Sequence, residues 1–354
     1  MAEDHSPGPS TAPAEAADAV QQSPQLSFEQ LSGEHRRLLD RAIAAVLATN
    51  VAEVAYAQIV DGKPIEPPRR VLSSVYLQPP PPPVPIPPAH TELCPGMLEK
   101  AREFRRQFCP DILTFDSKRL SEYCQCSPGS RRFKMRLVEL VALAVHQIAV
   151  ILFELDTSAH KNDPVYPLPP KSNASYWMVN PNGPPPTPFY HRWYKDHHQY
   201  PRGVADMVGF WAENEILGGV VLFDRRDPES EPDADPDAVY YHSWRPNVTS
   251  RIYQLLPEQR KALLDFLLAE EPPSACPLPI LGDDHNRTRV DPQEPMRETG
   301  IYRDLWERKD YVPRSRNEGL SCHRNRLDFP TSEDELQGRS RASRRSRKSD
   351  FLFV

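Results

Sequence analysis

The chain has few cysteines and glycines, lacks recognisable nucleotide and nucleophile motifs, and carries no global positive charge. Its six cysteines (Cys94, Cys109, Cys124, Cys126, Cys276 and Cys322) stand at irregular spacings in 354 residues. That scarcity excludes the dense disulfide framework of a small secreted domain and predicts reduced thiols. Among 14 glycines there is no glycine-rich phosphate loop, and Gly218-Gly219 lacks the fingerprint of a dinucleotide turn. No serine sits in a Gly-x-Ser-x-Gly elbow, and no cysteine has a sequence context that argues for activation. The N-terminal MAEDHSPGPSTAPAEAADA has no apolar stretch behind a basic one and no arginine, so neither a secretory signal nor a mitochondrial transit peptide is expected. A net charge of -6 argues against general affinity for nucleic acid or anionic lipid. The expected location is cytoplasmic or nuclear, where the acceptor patterns at Asn173, Asn247 and Asn286 carry no glycan.

What the chain has in excess is proline, 41 residues in all. Proline lacks an amide donor and fixes φ, so dense proline excludes regular helix and central strand. With a mean hydropathy of -0.61, the sequence predicts one core built from roughly two thirds of the residues. Residues 1–27 read as a disordered tail, 28–310 as a single α+β domain, and 311–354 as a basic, largely disordered tail. Within the domain Gln78 to Pro88, QPPPPPVPIPP, predicts a polyproline II rod, either a spacer or a ligand for an aromatic groove. A protein partner is therefore expected, if anywhere, through Pro79 to Pro88.

Hydrophobic periodicity outlines the rest. Ser32 caps a helix carrying Leu39, Ile43, Val46 and Leu47 on one face, with Asn50 as its stop. The stretch from Val51 to Leu77 reads as a β-hairpin turning at Asp61-Gly62. Helices are predicted over about 95–107 and 117–123, and Leu137 to Phe153 reads as a buried central helix rather than a membrane span, because Glu139, His146 and Gln147 interrupt it. Cys124 and Cys126, with no second cysteine pair, read as ordinary thiols, and His146 as a hydrogen-bonded core histidine. A helix begins near Pro201. Strands are predicted over 216–223 and 238–244 across an acidic loop, in a small antiparallel sheet, and a further helix over 257–270. Proline-rich irregular crossings follow, anchored by Leu278, Ile280, Ile301, Tyr302, Leu305 and Trp306.

Chemistry, if present, concentrates in Tyr190 to Pro201, YHRWYKDHHQYP, and the aromatic residues around it. Histidine ligates metals and titrates near neutrality. His191, His197 and His242 with Asp196, Asp206 or Asp224 are the candidates for acid-base catalysis. Trp177, Tyr190, Trp193, Tyr194, His198, Trp211 and Trp244 are the candidates for a ligand-binding surface. The spacing of His191, His197 and His198 does not place two imidazoles on one helical face, so no residue is assigned to a metal and the cofactor is left unspecified. Nucleic-acid contact is expected only through the basic tail GRSRASRRSRKSD, since the acidic loop from Asp224 to Asp237 repels phosphate.

The segments YHRWYKDHHQYPRGVADMVGFWAE, ILGGVVLFDR, YYHSWRPNVTSRIYQLLPEQRKALLDFLLAE and PLPILGDDHNRTRVDP resemble a group of uncharacterised filamentous-fungal proteins. That resemblance implies no activity and assigns no role to any residue. From the residues themselves the expectation is an intracellular interaction or ligand-binding protein using the aromatic and histidine surface around 176–244. The competing expectation is an enzyme of fungal secondary metabolism that uses the same cluster for acid-base or metal chemistry.

Overall fold

The computed structural model describes residues 24–65, 90–160, 170–172, 174, 177, 183–271, 275–309, 326–338 and 340. The expected rod at 78–88, the N-terminal tail up to residue 23 and most of the C-terminal tail lie outside the described residues. Within them the fold is α+β, with helices packed around one long central helix and a small antiparallel sheet beside it.

The central helix forms because its sequence offers a cap and an almost unbroken apolar surface. Helix α5 (Arg131–Glu154) starts at Ser130, whose hydroxyl accepts from Phe133 N-H, and buries residues all round its circumference, from Phe133 to Leu152. It is long and apolar enough to cross a bilayer, and 72% of its apolar window is covered by the rest of the protein. Its main partner is α6 (Val204–Ile216), and α1 (Gly33–Leu47), α2 (Asn50–Asp61) and α4 (Ser117–Gln125) pack around it. Between α2 and α4 comes α3 (Met97–Gln107), which lies on α2.

The hairpin expected from Val51 onward is not formed: residues 50–61 are helix α2, and the partner strand expected beyond it falls outside the described residues. Ala52, Ala55, Tyr56 and Ile59 are buried at helical spacing, which outweighs the β-branched residues between them. Thr49 caps the helix by accepting from Ala52 N-H, so the stop at Asn50 is the start of a second helix bent 73° from the first. Asp61-Gly62 is not a hairpin turn but a helix end. Gly62 has φ of +97°, and a Cβ there would meet Ser158 Cβ at 2.8 Å, so both the backbone and the close packing require glycine.

Two strands, β1 (Gln25–Ser27) and β2 (Thr114–Asp116), pair antiparallel at one end. The larger sheet holds β3 (Val220–Asp224), β4 (Val239–His242), β5 (Ile252–Gln254), β6 (Arg289–Val290) and β7 (Ile301–Tyr302), ordered β6-β5-β4-β3-β7 with every pair antiparallel. The expected strand over 216–223 starts later, because Ile216 ends α6 and Gly218, at φ of +110°, turns the chain under the Ile280 backbone. Alternation then divides β3 between two cores: Val221 and Phe223 face the helical core, whereas Val220 and Leu222 face Tyr194, Tyr200, Met207 and Phe210. Helix α7 (Pro257–Leu268) buries Leu263, Phe266 and Leu267 in the helical core. Of the expected crossing anchors, Leu278, Ile280 and Ile301 are buried and Leu305 is exposed. Residues 326–338, expected within the tail, rest on the sheet edge, where Asp328 accepts from Thr249 Oγ1 at 2.8 Å and Ser250 N at 2.7 Å.

Candidate functional site

The predicted histidines and aromatic residues fall into a buried group and an exposed rim. His191 and His242 are buried with ring centroids 5.0 Å apart, and Tyr194 Oη lies 3.1 Å from His242 Nδ1. Trp193 leans on His242 at 5.9 Å, and Tyr194 packs on Phe210 at 4.5 Å. Burial pushes His191 down to about 3 and His242 well below the usual histidine range, so both rings are neutral. Among the described residues, none hydrogen-bonds His191 Nε2, His242 Nε2 or Trp193 Nε1. Trp211 is buried against Phe189 in the helical core.

The rim is more open. Trp244 is 40% exposed beneath the Arg192 guanidinium, 5.2 Å from its ring. His197 and His198 stack on one another at 3.9 Å along a short 3-10 turn, and Tyr190 is half-buried. Trp177 donates to Pro170 O, away from this group. The predicted carboxylates do not join the buried rings. Asp196 faces Lys309 at 3.4 Å, Asp206 faces His146, and Asp224 is held by Arg226 at 2.7 Å.

Where Asp206 goes instead is a charged network threaded through the core between α5, α6 and the segment after β7. His146 on α5 presents Nδ1 to Glu213 Oε1 at 2.8 Å and Nε2 to Asp206 Oδ1 at 3.0 Å. An ionised carboxylate only accepts, so both ring nitrogens donate and the imidazole is protonated. Burial would pull the ring's pKa down, but the hydrogen bonds it donates to Asp206 and Glu213 outweigh it and leave the pKa raised. Arg303, fully buried, completes the group with two bonds to Glu213, at 2.8 and 3.0 Å. About two turns earlier on α5, Glu139 is enclosed by Arg119, Arg136 and Arg225. Burial works against its charge, yet Arg225 and Arg119 hold its carboxyl at about 2. His146 is thus the hydrogen-bonded core histidine expected.

A different constellation lies at the C-terminal end of α2. Asp61, fully buried, closes that helix; His90 and Cys94 precede α3; His160 follows α5. One potential ligand atom from each lies within 4.8 Å of those of the other three. His90 Nε2 is 3.1 Å from Asp61 Oδ2, His160 Nε2 is 3.5 Å from Asp61 Oδ1, and Cys94 Sγ is 3.3 Å from His160 Nε2. Backbone contacts fix the frame: Cys94 N donates to Asp61 Oδ2 at 3.0 Å and His160 N donates to Asp61 O at 3.1 Å. The His90 ring is oriented by its Nδ1, 3.3 Å from Pro64 O. Because a carbonyl only accepts, Nδ1 donates in that contact, and in the neutral ring Nε2 is then the nitrogen able to ligate.

No family model, curated protein or solved structure matches the chain, so its chemistry has to be argued from these side chains. Sequence reasoning assigned no metal ligand and passed over Asp61, His90 and His160. The one local signal was His90-x3-Cys94; the other two groups stand 29 residues before and 66 residues after this pair and meet it only through the fold.

Proposed function

We propose that the protein is an interaction protein that offers Pro79 to Pro88 to a partner with an aromatic, polyproline-reading groove. The observation that carries this reading is the closed base of the segment. The chain leaves the described body at Ile65, whose N-H donates to Gln58 Oε1 at 2.6 Å. It returns at His90, whose ring lies 3.3 Å from Pro64 O. Twenty-four residues, including QPPPPPVPIPP, separate these two neighbouring points in the sequence. Closing such a span costs chain entropy that grows only slowly with its length, and pinned ends lower the ordering cost of binding.

The exposed Trp244 beneath the Arg192 guanidinium supports a second contact area for a protein or small ligand on the aromatic and histidine surface. The acid-base enzyme reading has less support, because Asp196, Asp206 and Asp224 each lie on a cation away from His191 and His242. The test is capture of SH3, WW and EVH1 domains by the full chain, compared with a variant carrying alanine at Pro79, Pro80, Pro81, Pro82 and Pro83. Wild type is expected to retain at least one domain that the variant loses. Identical capture by both chains refutes docking.

A further inference from the structure

We infer that Asp61, His90, Cys94 and His160 form a closed, four-ligand site for a single Zn2+ ion. This goes beyond polyproline docking and stands whether or not that docking occurs. Zinc takes thiolate, imidazole and carboxylate ligands in a tetrahedron, with bonds of about 2.0–2.3 Å. Bonds of that length at tetrahedral angles put neighbouring ligand atoms about 3.3–3.6 Å apart. His160 Nε2 lies 3.5 Å from Asp61 Oδ1 and 3.3 Å from Cys94 Sγ, and His90 Nε2 lies 3.1 Å from the other carboxylate oxygen. One candidate atom from each residue lies within 4.8 Å of the rest, close enough for a small contraction onto one ion.

Orientation separates a ligand set from ordinary polar contacts. Asp61 Oδ1 and His90 Nε2 are buried and, among the described residues, neither has a hydrogen-bond partner, although His160 Nε2 lies 3.5 Å from Asp61 Oδ1 and His90 Nε2 lies 3.1 Å from Asp61 Oδ2. An unsatisfied carboxylate oxygen in a fully buried residue costs on the order of 1–3 kcal/mol unless something binds it. A cation supplies what the neighbouring side chains do not. Two features outside the set orient it: Pro64 O fixes the His90 tautomer, and Cys94 N-H holds the other oxygen of Asp61.

Charge and softness select the ion. A thiolate and a carboxylate together neutralise one divalent cation, so the loaded site adds no net charge to a semi-buried position. A sulfur with two imidazoles is a poor match for Mg2+ or Ca2+, which require shells of oxygen. Four protein ligands leave no open position, which makes the ion structural. The same residues do not form a cysteine-histidine-carboxylate relay. A relay needs thiol and carboxylate on opposite ring nitrogens, whereas His160 turns the same Nε2 towards both Cys94 and Asp61. His90, His160 and Cys94 are each partly exposed, which gives the ion a way in.

The test uses the full chain, stripped with a chelator under reducing conditions and titrated with Co2+ as an optical probe of the zinc site. About one equivalent is expected to bind, giving tetrahedral ligand-field bands and a sulfur-to-cobalt charge-transfer band, both erased by Zn2+. Cys94→Ser should lose the sulfur band, and His160→Ala should bind at least about 100-fold more weakly. Cys124→Ser, altered at an exposed thiol elsewhere, should behave as wild type. A measurement free of variants accompanies these: Zn2+ should slow alkylation of Cys94 in the wild-type chain, read by peptide mass spectrometry. A folded wild-type chain that gives no tetrahedral cobalt spectrum overturns the site. So does equal alkylation of Cys94 with and without zinc, or a sulfur band that persists in Cys94→Ser.

Discussion

His146 and His160 both lie beside buried carboxylates, yet their surroundings differ in kind. Around His146 the charges close on one another: Glu213 receives two bonds from Arg303, one from His146 and one from Val221 N-H. The carboxylate of Glu213 and both nitrogens of His146 are satisfied by groups the protein brings to them, and Arg303 Nε alone of its guanidinium nitrogens has no hydrogen bond among the described residues. Around His160 the atoms are as close, but among the described residues Asp61 Oδ1 and His90 Nε2 have no hydrogen bonds. Proximity of polar atoms is therefore not pairing. The first region pairs its acid with cations of the chain itself, whereas the second leaves a carboxylate oxygen and an imidazole nitrogen turned to one another.

The comparison breaks most severely at Glu213. Glu213→Ala leaves Arg303 charged and buried without its hydrogen-bonded carboxylate and leaves His146 with Asp206 alone, and should destabilise the protein by about 3–5 kcal/mol, read from urea unfolding. A loss under 1 kcal/mol would mean that water or other groups take over the pairing. The complementary manipulation addresses the second region. With free Zn2+ at about 100 times its Kd, wild type should gain about 2.7 kcal/mol, and His160→Ala should gain almost nothing. Equal gains in both chains would place the ion elsewhere.

Gly209 gives a purely steric probe of the first region. A Cβ there would lie 2.4 Å from the His146 ring, which is held at both nitrogens and has no room to withdraw. Gly209→Ala should cost about 1–3 kcal/mol in thermal unfolding. An unchanged melting temperature would show that the ring is looser than its bonds suggest.

The last probe reads a sign rather than a size, and that sign separates the histidines. His146, raised above its usual 6.5, contributes stability that is complete below pH 6.5 and lost as pH rises through its folded value. His191, lowered from 6.5 to about 3, does the reverse: stability present above pH 6.5 is lost as pH falls towards 3. Urea midpoints measured across pH should therefore lose their alkaline decline in His146→Gln and keep their acid decline. An alkaline limb unaltered in that variant would refute the protonated imidazole.

Much of the fold could be read directly because local patterns agreed with the tertiary outcome. The capped, apolar Arg131–Glu154 helix, the Pro257–Leu268 helix and the paired strands of the sheet are cases of this. Helix α2 was misread because Asp61-Gly62 is equally suitable for a hairpin turn and for a left-handed helix end. Only its burial at Ala52, Ala55, Tyr56 and Ile59 decides between them. The dense YHRWYKDHHQYP run drew attention to rings, and several of those rings do meet. The carboxylates near them in sequence are drawn off by cations arriving from residues 146, 226 and 309. The Asp61 cluster was invisible for the same reason in reverse: its members are ordinary alone and acquire meaning only when three separate segments converge.

The position of Arg303 has a consequence for how the molecule is made. Glu213 emerges from the ribosome 90 residues before the guanidinium that neutralises it, and Glu139 emerges 86 residues before Arg225. Helices α5 and α6 can associate during synthesis, but they then bury Glu213 before Arg303 has been translated, whereas Glu139 already has Arg119 and Arg136. A chain halted just short of β7 would hold a largely packed helical interior with Glu213 lacking its guanidinium, so the final commitment to the native state waits for the short stretch around Arg303.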